Sequence, residues 1–586
     1  MRRSRITALT ALAAATALAL TGCSSSKSGS GDAAGDKAAG ANAATKAVVN
    51  VSDKKGGTVV YEHSDVPDSF DPGNTYYAYM YNFSRLYGRP LTTFNPAAGE
   101  EGNKLVPDLA ESMGKVSADG LTWTYKLRAG LKYDDGSAIT SKDVKYAVER
   151  SNFAPDVLSN GPTYFHDLLV DNPEPYQGPY KDKTGDLKSI ETPDDTTIVF
   201  HLKQPFADFD YLVSAPQTVP VPQAKDTGAD YVKHIVSSGS YKFQSYEDGK
   251  EVVLVPNTNW DAKSDPIRKQ LADKIQVKLK IAQATIDQDL LAGNAQVDLA
   301  GKGVDPQTQA KILQDPKLKS ATDNAYGGRL VYTAINTKVA PFDNIDCRKA
   351  VQYAIDKVSV QTAIGGPIRG DIASTVLPPD IPGHQDFNLY ETTGGKGDEA
   401  KAKDALKACG KPEGFSTTIM ARQDRATEVA SATAIQAALK KVGITVDIQQ
   451  FPQGKYFSDF AGVPAYNKEH NVGLIMMQWG ADWPTGYGFL QQVVDGDAIK
   501  KSGNTNLSEL NDPAINKLLD DAITNPDRAA REKIYADIDK KTMEAAVIVP
   551  LTYYKVFLYR PASATNLAST PAFSGEYDYL NIGVSK

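Results

Sequence analysis

The chain has 586 residues, 41% of them hydrophobic, with a formal charge of −7 and a mean hydropathy of −0.37. That length allows several domains around a large core, and the composition is that of a globular body in water. The acidic balance argues against nucleic acid as a partner, and no basic run suggests a membrane-surface patch.

The first residues read as an export signal. Met1-Arg2-Arg3-Ser4-Arg5 is basic, and residues 6–20 are apolar and rich in Ala and Leu. The run is too short to span a bilayer and small residues follow at once, so 1–22 is expected to be a secretory signal peptide, not a transmembrane helix. Leu20-Thr21-Gly22-Cys23 matches the bacterial lipobox, which implies cleavage before Cys23 and diacylation (palmitate or a similar chain) at its sulfur. An ordinary signal with an incidental Cys is the alternative. A lipidated end anchors a protein to a membrane without spanning it. Residues 23–55 carry Ser, Gly, Ala, Lys and Asp with almost no bulky apolar side chain before Val48, and are expected to be a flexible tether.

Folded structure is expected from Gly56, with a first strand through Thr58, Val59, Val60 and Tyr61. Asp68-Ser69-Phe70-Asp71-Pro72-Gly73-Asn74 is a turn cluster. Tyr76, Tyr77, Tyr79 and Tyr81 follow. They cannot share one helical side, and both a packed helix and a binding surface fit them. Leu121, Trp123, Tyr125 and Leu127 alternate with polar residues, as in a half-buried strand. Thr140, with Asp143 three residues on, is close to a capping box, and Val144, Ala147 and Val148 share one face of the helix it would start. Residues 415–421 read as a strand. Residues 427–442 read as a helix with Val429, Ala432, Ile435, Ala438 and Leu439 on one stripe and Gly443 at its end. Ile444, Val446 and Ile448 make the next strand, which completes a βαβ unit. Residues 531–546 read as an amphipathic helix, and 547–551 and 553–559 as two late strands.

Residues 471–490 carry the most chemistry. The apolar run 472–477 has the length and bulk of a buried strand. It breaks into Gln478-Trp479-Gly480-Ala481-Asp482-Trp483-Pro484, as a strand does on leaving a core for a cleft loop. Asp482 stands among aromatic residues, an arrangement that suits a small cation such as a free amine. A solvated loop Asp beside two core Trp would give the same letters. Signals for catalysis are thin. The six His have no metal-ligand spacing, and neither a G-x-S-x-G elbow nor a P-loop occurs. An S-x-x-K match at Ser24 and Lys27 falls in the tether, where no oxyanion hole could form. An unrecognised hydrolase and an interaction protein with an exposed patch stay open as alternatives.

Ordered landmarks run through the chain: V-S-A-D-G-L-T-W-T-Y-K-L-R-A-G-L-K-Y-D-D-G at 116–136, T-S-K-D-V-K-Y-A-V-E-R at 140–150, Ser238-Gly239-Ser240-Tyr241, and Asn257-Thr258-Asn259-Trp260. Then come L-A-G-N-A-Q-V-D at 291–298, Asn336-Thr337 with Pro341-Phe342-Asp343, and R-K-A-V-Q-Y-A-I-D-K at 348–357. The series resembles the family 5 solute-binding proteins of bacterial ABC importers, the oligopeptide-, dipeptide- and nickel-binding group.

The resemblance implies an α/β, two-lobed periplasmic-binding-protein-like fold with an extra inserted domain and mixed β-sheets flanked by helices. Domain I would be assembled from 56–88, 215–328 and 550–586, domain II inserted as 89–214, and domain III would be the lid lobe, 329–549. It also implies a monomer anchored by lipid on the extracytoplasmic face of the cell membrane. Such a protein captures a solute by lobe closure and hands it to an ABC permease with its ATPase subunits. No catalytic residue, metal or cofactor is expected. Trp479-Gly480-Ala481-Asp482 is similar to the W-x-A-D motif of the peptide-binding members, in which the Asp pairs with the ligand's α-ammonium. Those members hold the peptide as an added strand, here between the segments near Tyr76, Tyr77 and Ala78 and near Gln478, Trp479 and Gly480. A short peptide is therefore the expected ligand, with a sugar, a nickel chelate or a signalling molecule as the alternative. With Cys23 lipidated, Cys347 and Cys409 are left, an even number in an oxidising compartment. They are expected to form a disulfide, and two free thiols are the alternative.

Overall fold

The computed structural model describes residues 40–161, 163–171, 175–182, 187–423, 425–452 and 455–585. The expected signal 1–22, Cys23 and the tether as far as residue 39 lie outside the described residues.

Strand Thr58–Glu62 turns Val59 and Tyr61 into a core and lies parallel to both its neighbours. It belongs to a five-stranded mixed sheet ordered Val297–Asp298, Thr58–Glu62, Lys274–Lys278, Glu251–Pro256, Tyr241–Glu247. Rings of Phe83 and Tyr579 meet Tyr61 edge-on at 5.3 and 5.4 Å and fasten helix Ala78–Ser84 and the C-terminal segment to this sheet.

A second, antiparallel sheet holds Lys115–Val116, Thr122–Lys126, Thr197–His201 and Ile190–Asp194. Trp123 and Tyr125 are buried from one face, as their alternation requires. Helix Ser141–Asn152 starts at a capping box, in which the Thr140 N–H donates to Asp143 Oδ2 at 2.7 Å, and it buries Val144, Ala147 and Val148.

The third sheet has six strands: Gly370–Ile372, Ile548–Tyr559, Thr322–Ile335, Val472–Gly480, Ser416–Arg422 and Thr445–Phe451. The last two are parallel and joined by helix Ala426–Lys440, the expected βαβ unit. Gly443, at φ +90°, lies in the turn between that helix and the strand that follows it. Cys347 of helix Ile345–Ala354 and Cys409, which caps helix Glu399–Ala408, are joined as a disulfide with their Cα atoms 5.3 Å apart.

Strands Thr322–Ile335 and Ile548–Tyr559 link the lobes. Val556 and Leu558 pack in the core of the first sheet, whereas Leu330, Tyr332 and Tyr553 pack in a core of the third. Between these halves the pairing breaks at Gly327 and Gly328. Gly328 has φ +59°, a conformation costly for residues with a Cβ, and its N–H donates to Asp380 at 2.7 Å. The expected boundary at 328/329 falls at this break. The one expected at 549/550 falls inside a strand, because Leu551 and Tyr553 still pack with the third sheet.

Two expectations need correction. Residues 547–551 and 553–559 are not two strands but one: Pro550 stays in register opposite Tyr332, and a bulge that leaves Leu551 as the extra residue lets the strand continue to Tyr559. Nor is the chain a free tether as far as 55. The Asn42 N–H donates to Thr322 O at 2.8 Å, the Ala44 N–H donates to Asp323 Oδ1 at 2.9 Å, and Val49 bridges to Leu567. Few apolar groups are needed there, because the backbone finds its partners on the body and Ala44 is small enough to be buried.

Candidate functional site

The site grows from the end of strand Val472–Gly480. Residues 472–477 are buried, and burial ends at Gln478, where the apolar run ends. A Cβ at Gly480 would stand 2.8 Å from Arg329 Cγ, so glycine lets the Arg329 side chain lie across the strand. The following loop is held from both ends. Thr485 accepts from the Gly488 N–H to cap helix Gly486–Val494, the Asp482 N–H donates to Gly488 O at 3.1 Å, and the Trp479 indole donates to Phe489 O at 2.9 Å. Trp483 packs into the core of the second sheet, donates to Asp208 at 2.8 Å and also lines the cleft.

Asp482 faces a cavity of about 370 Å³. Its Oδ1 accepts from the Tyr76 hydroxyl at 2.6 Å and its Oδ2 accepts from the Tyr164 hydroxyl. Burial raises the Asp482 pKa, and the Tyr164 and Tyr76 hydrogen bonds lower it. Burial and the Asp482 charge push both phenols well above their ordinary range, so they remain donors. No described Lys, Arg or His forms an ion pair with Asp482. The rings that bond the carboxylate are those of Tyr76 and Tyr164, while Trp479 and Trp483, which flank it in sequence, line the same cavity.

All seven residues expected to touch a ligand line this one cavity: Tyr76, Tyr77, Ala78, Gln478, Trp479, Gly480 and Asp482. Tyr76 and Tyr77 are 48% and 50% exposed. One edge of Gln478–Gly480 pairs with Arg329–Val331. On the other edge, pairing with strand Ser416–Arg422 stops at Ile475. Among the described residues the edge from 478 to 480 thus has no strand partner and opens on the cavity.

Sequence reasoning missed Tyr164, Arg329, Arg422 and Arg425, which also line it. Arg422 is engaged by Glu428, with Nη2 to Oε2 at 2.6 Å. Arg329 donates to Ser574 Oγ at 3.1 Å and has no carboxylate within ion-pair distance among the described residues. Arg425 donates to Gln478 Oε1 at 3.4 Å; burial and the neighbouring Arg422 lower its pKa. Local sequence offers no signal for these side chains, which reach the cavity from separate strands and loops. No described group of three or more His, Cys, Asp or Glu is placed to hold a metal ion.

The cavity combines one carboxylate, a wall of phenols, an open strand edge and guanidinium groups. This arrangement can bind a small ligand carrying charges of both signs. Comparison with known proteins agrees with such a role. The chain is 41% identical to a solved structure, the clavulanic acid biosynthesis oligopeptide binding protein 2, over 94% of this chain and 99% of that one, with a TM-score of 0.90. It is 27% identical to di/tripeptide-binding protein 1 of Pseudomonas aeruginosa over 81% of this chain and 85% of the relative. It is 26% identical to heme-binding protein A of Haemophilus influenzae over 89% and 91%. The profile of the bacterial extracellular solute-binding proteins, family 5 Middle, matches residues 104–501. A match over that much of the chain, together with the two-lobed mixed α/β fold, makes this protein a member of the family 5 bacterial extracellular solute-binding proteins.

Proposed function

We propose that the protein is the substrate-binding component of an ABC importer and that its ligand is a short peptide with a free amino terminus. One observation carries the reading: a cavity-facing carboxylate, Asp482, held by two neutral phenols and paired with no described cation. A ligand ammonium would fill that role. The open edge 478–480 would pair with the peptide backbone, and Arg329 and Arg425 would receive its carboxylate. Two of the relatives above are named as oligopeptide- or di/tripeptide-binding, which supports the same class.

The mechanism is closure. An open form is populated without ligand, and contacts from the peptide to both lobes favour the closed form, which a permease then recognises. Gly327 and Gly328 are the proposed hinge, and domains I, II and III meet around the cavity. No bond is made or broken. The lipobox at Cys23 would tether the monomer to the outer face of the cell membrane beside its permease and ATPase subunits.

A second reading, another solute in the same fold, is favoured by the relative named as heme-binding. Calorimetric titration with di- to pentapeptides, oligosaccharides and heme separates the two. Binding confined to free-amine peptides supports the proposal, and saturable binding of another set with none of peptide overturns it.

A further inference from the structure

The second sheet is fastened to the first by buried ion pairs, Arg268 with Asp108 at 2.7 Å and Arg150 with Asp71 at 2.8 Å. Contacts between the second sheet and the third therefore cross from one lobe to the other. They gather on Asp208, which is fully buried just before helix Phe209–Leu212 in the core of the second sheet. Its Oδ2 accepts from the Trp483 indole at 2.8 Å and from the Thr485 hydroxyl at 2.7 Å, and Arg531 Nη2 lies 3.4 Å from its Oδ1. All three donors come from the other lobe. Trp483 and Thr485 lead into helix Gly486–Val494, and Arg531 stands on helix Arg528–Glu544; Phe489 and Leu490 of the first and Tyr535 and Ile538 of the second pack in a core of the third sheet. Beside them the Ala207 N–H donates to Ile523 O at 2.7 Å. Ile523 belongs to helix Pro513–Thr524, whose Ile515 and Leu519 pack in that same core while Ile523 itself packs in the core of the second sheet.

The same contact reaches the ligand site. Thr485 accepts from the Gly488 N–H while it donates to Asp208, so one hydroxyl both caps a helix and joins the lobes. The Trp483 ring meets Tyr164 edge-on at 5.4 Å, and Tyr164 donates to Asp482. A carboxylate shut away from water depends on its donors, and here all of them leave together when the lobes part. Opening returns Asp208 to water and takes the acceptor from Trp483 and Thr485. The contact is thus made or lost as a unit, which favours two discrete states over a continuum. Neither Asp208 nor Arg531 lines the cavity, so their pairing is indifferent to what fills it.

Resting on the closure reading, we infer that Asp208 is a positioning residue that latches the two lobes: it holds the loop 482–485 against the second sheet and keeps part of the population closed even without ligand. Apparent affinity scales with the fraction of protein in the binding-competent form, so the latch tunes every ligand by one factor. Release requires opening, so its loss acts on dissociation.

The test uses the full-length protein in detergent. Hydrogen exchange without ligand, read by mass spectrometry, follows the Ala207 amide, whose acceptor lies across the lobes. Asp208→Ala should speed that exchange by about tenfold or more and leave strand residues 472–477 unchanged. Titration and stopped flow with trialanine and with pentaalanine should show both Kd values raised by one factor, on the order of tenfold, through faster dissociation, with association within about twofold. Asp208→Asn keeps the shape and one acceptor oxygen, should shift both readings less and in the same direction, and serves where the alanine variant does not fold. In a folded variant, unchanged Ala207 exchange, equally faster exchange across 472–477, or different factors for the two peptides overturns the inference. Binding of neither peptide by the wild type overturns the peptide reading alone, and exchange at Ala207 still decides the latch.

Discussion

The Tyr76 hydroxyl donates to Asp482 Oδ1 at 2.6 Å, joining residues 406 positions apart. Tyr164 occupies the other carboxylate oxygen. The phenols satisfy the carboxylate's hydrogen bonding and leave its charge unmatched, which is why burial still raises its pKa. An incoming ammonium would supply the missing charge at a point where three separate segments of chain already converge.

Loss of Asp482 should discriminate between ligands. Breaking one side of an enclosed charge pair costs on the order of 3–5 kcal/mol, or roughly two to four decades in Kd. Asp482→Ala should weaken a free-amine tripeptide by that amount. The N-acetylated tripeptide should bind wild type poorly and lose little more in the variant. Trp479→Ala should weaken both, because it removes wall rather than charge. A double-mutant-style cycle of protein and peptide that gives no coupling between Asp482 and the amine, in folded protein, would sink the assignment.

Lys357 should make stability depend on pH. Its ammonium is buried at the start of helix Lys357–Ala363, donating to Ala373 O at 2.8 Å, and burial lowers its pKa to about 7. In the unfolded chain it titrates near about 10.4. Between these values the unfolded state binds more protons, so stability rises with pH. Compared with Lys357→Met, the wild type should therefore gain stability from about pH 7 to about pH 9.5, by up to about 1.4 kcal/mol per unit. Denaturant melts of both proteins across that range check this, and a difference between them that ignores pH refutes it.

The Cys347–Cys409 bridge closes a loop of 62 residues. Restricting an unfolded loop of that size contributes about 4 kcal/mol. Cys409→Ala and the reduced wild type should both lose close to that amount in equilibrium unfolding and should match each other. Mass spectrometry of the non-reduced, folded protein should find neither thiol free to alkylate.

Anchoring depends on Cys23. Cys23→Ala should be released or accumulate as unprocessed precursor, and should incorporate no labelled fatty acid. Equal labelling of wild type and variant would remove the lipid anchor.

Local chemistry was plain in the linear chain wherever it is decided locally. Trp123 and Tyr125 alternate because a strand has two faces, Thr140 and Asp143 cap a helix because they stand three residues apart, and the run ending at Gln478 leaves the core where its apolar residues end. Asp482 was legible for the same reason, as a carboxylate just past a buried strand. Its partners were not. Tyr164, Arg329 and Arg425 arrive from separate strands and helices, and nothing beside them in the sequence marks that destination. The same limit applies at residue 44, whose composition suggests a free tether although its N–H is bound to Asp323, 279 residues away. By itself the sequence determined the strands, helices and caps, because those rest on periodicity and on hydrogen bonds a few residues apart. Only the tertiary structure decided what surrounds the carboxylate, because packing brings together side chains that no short-range pattern connects.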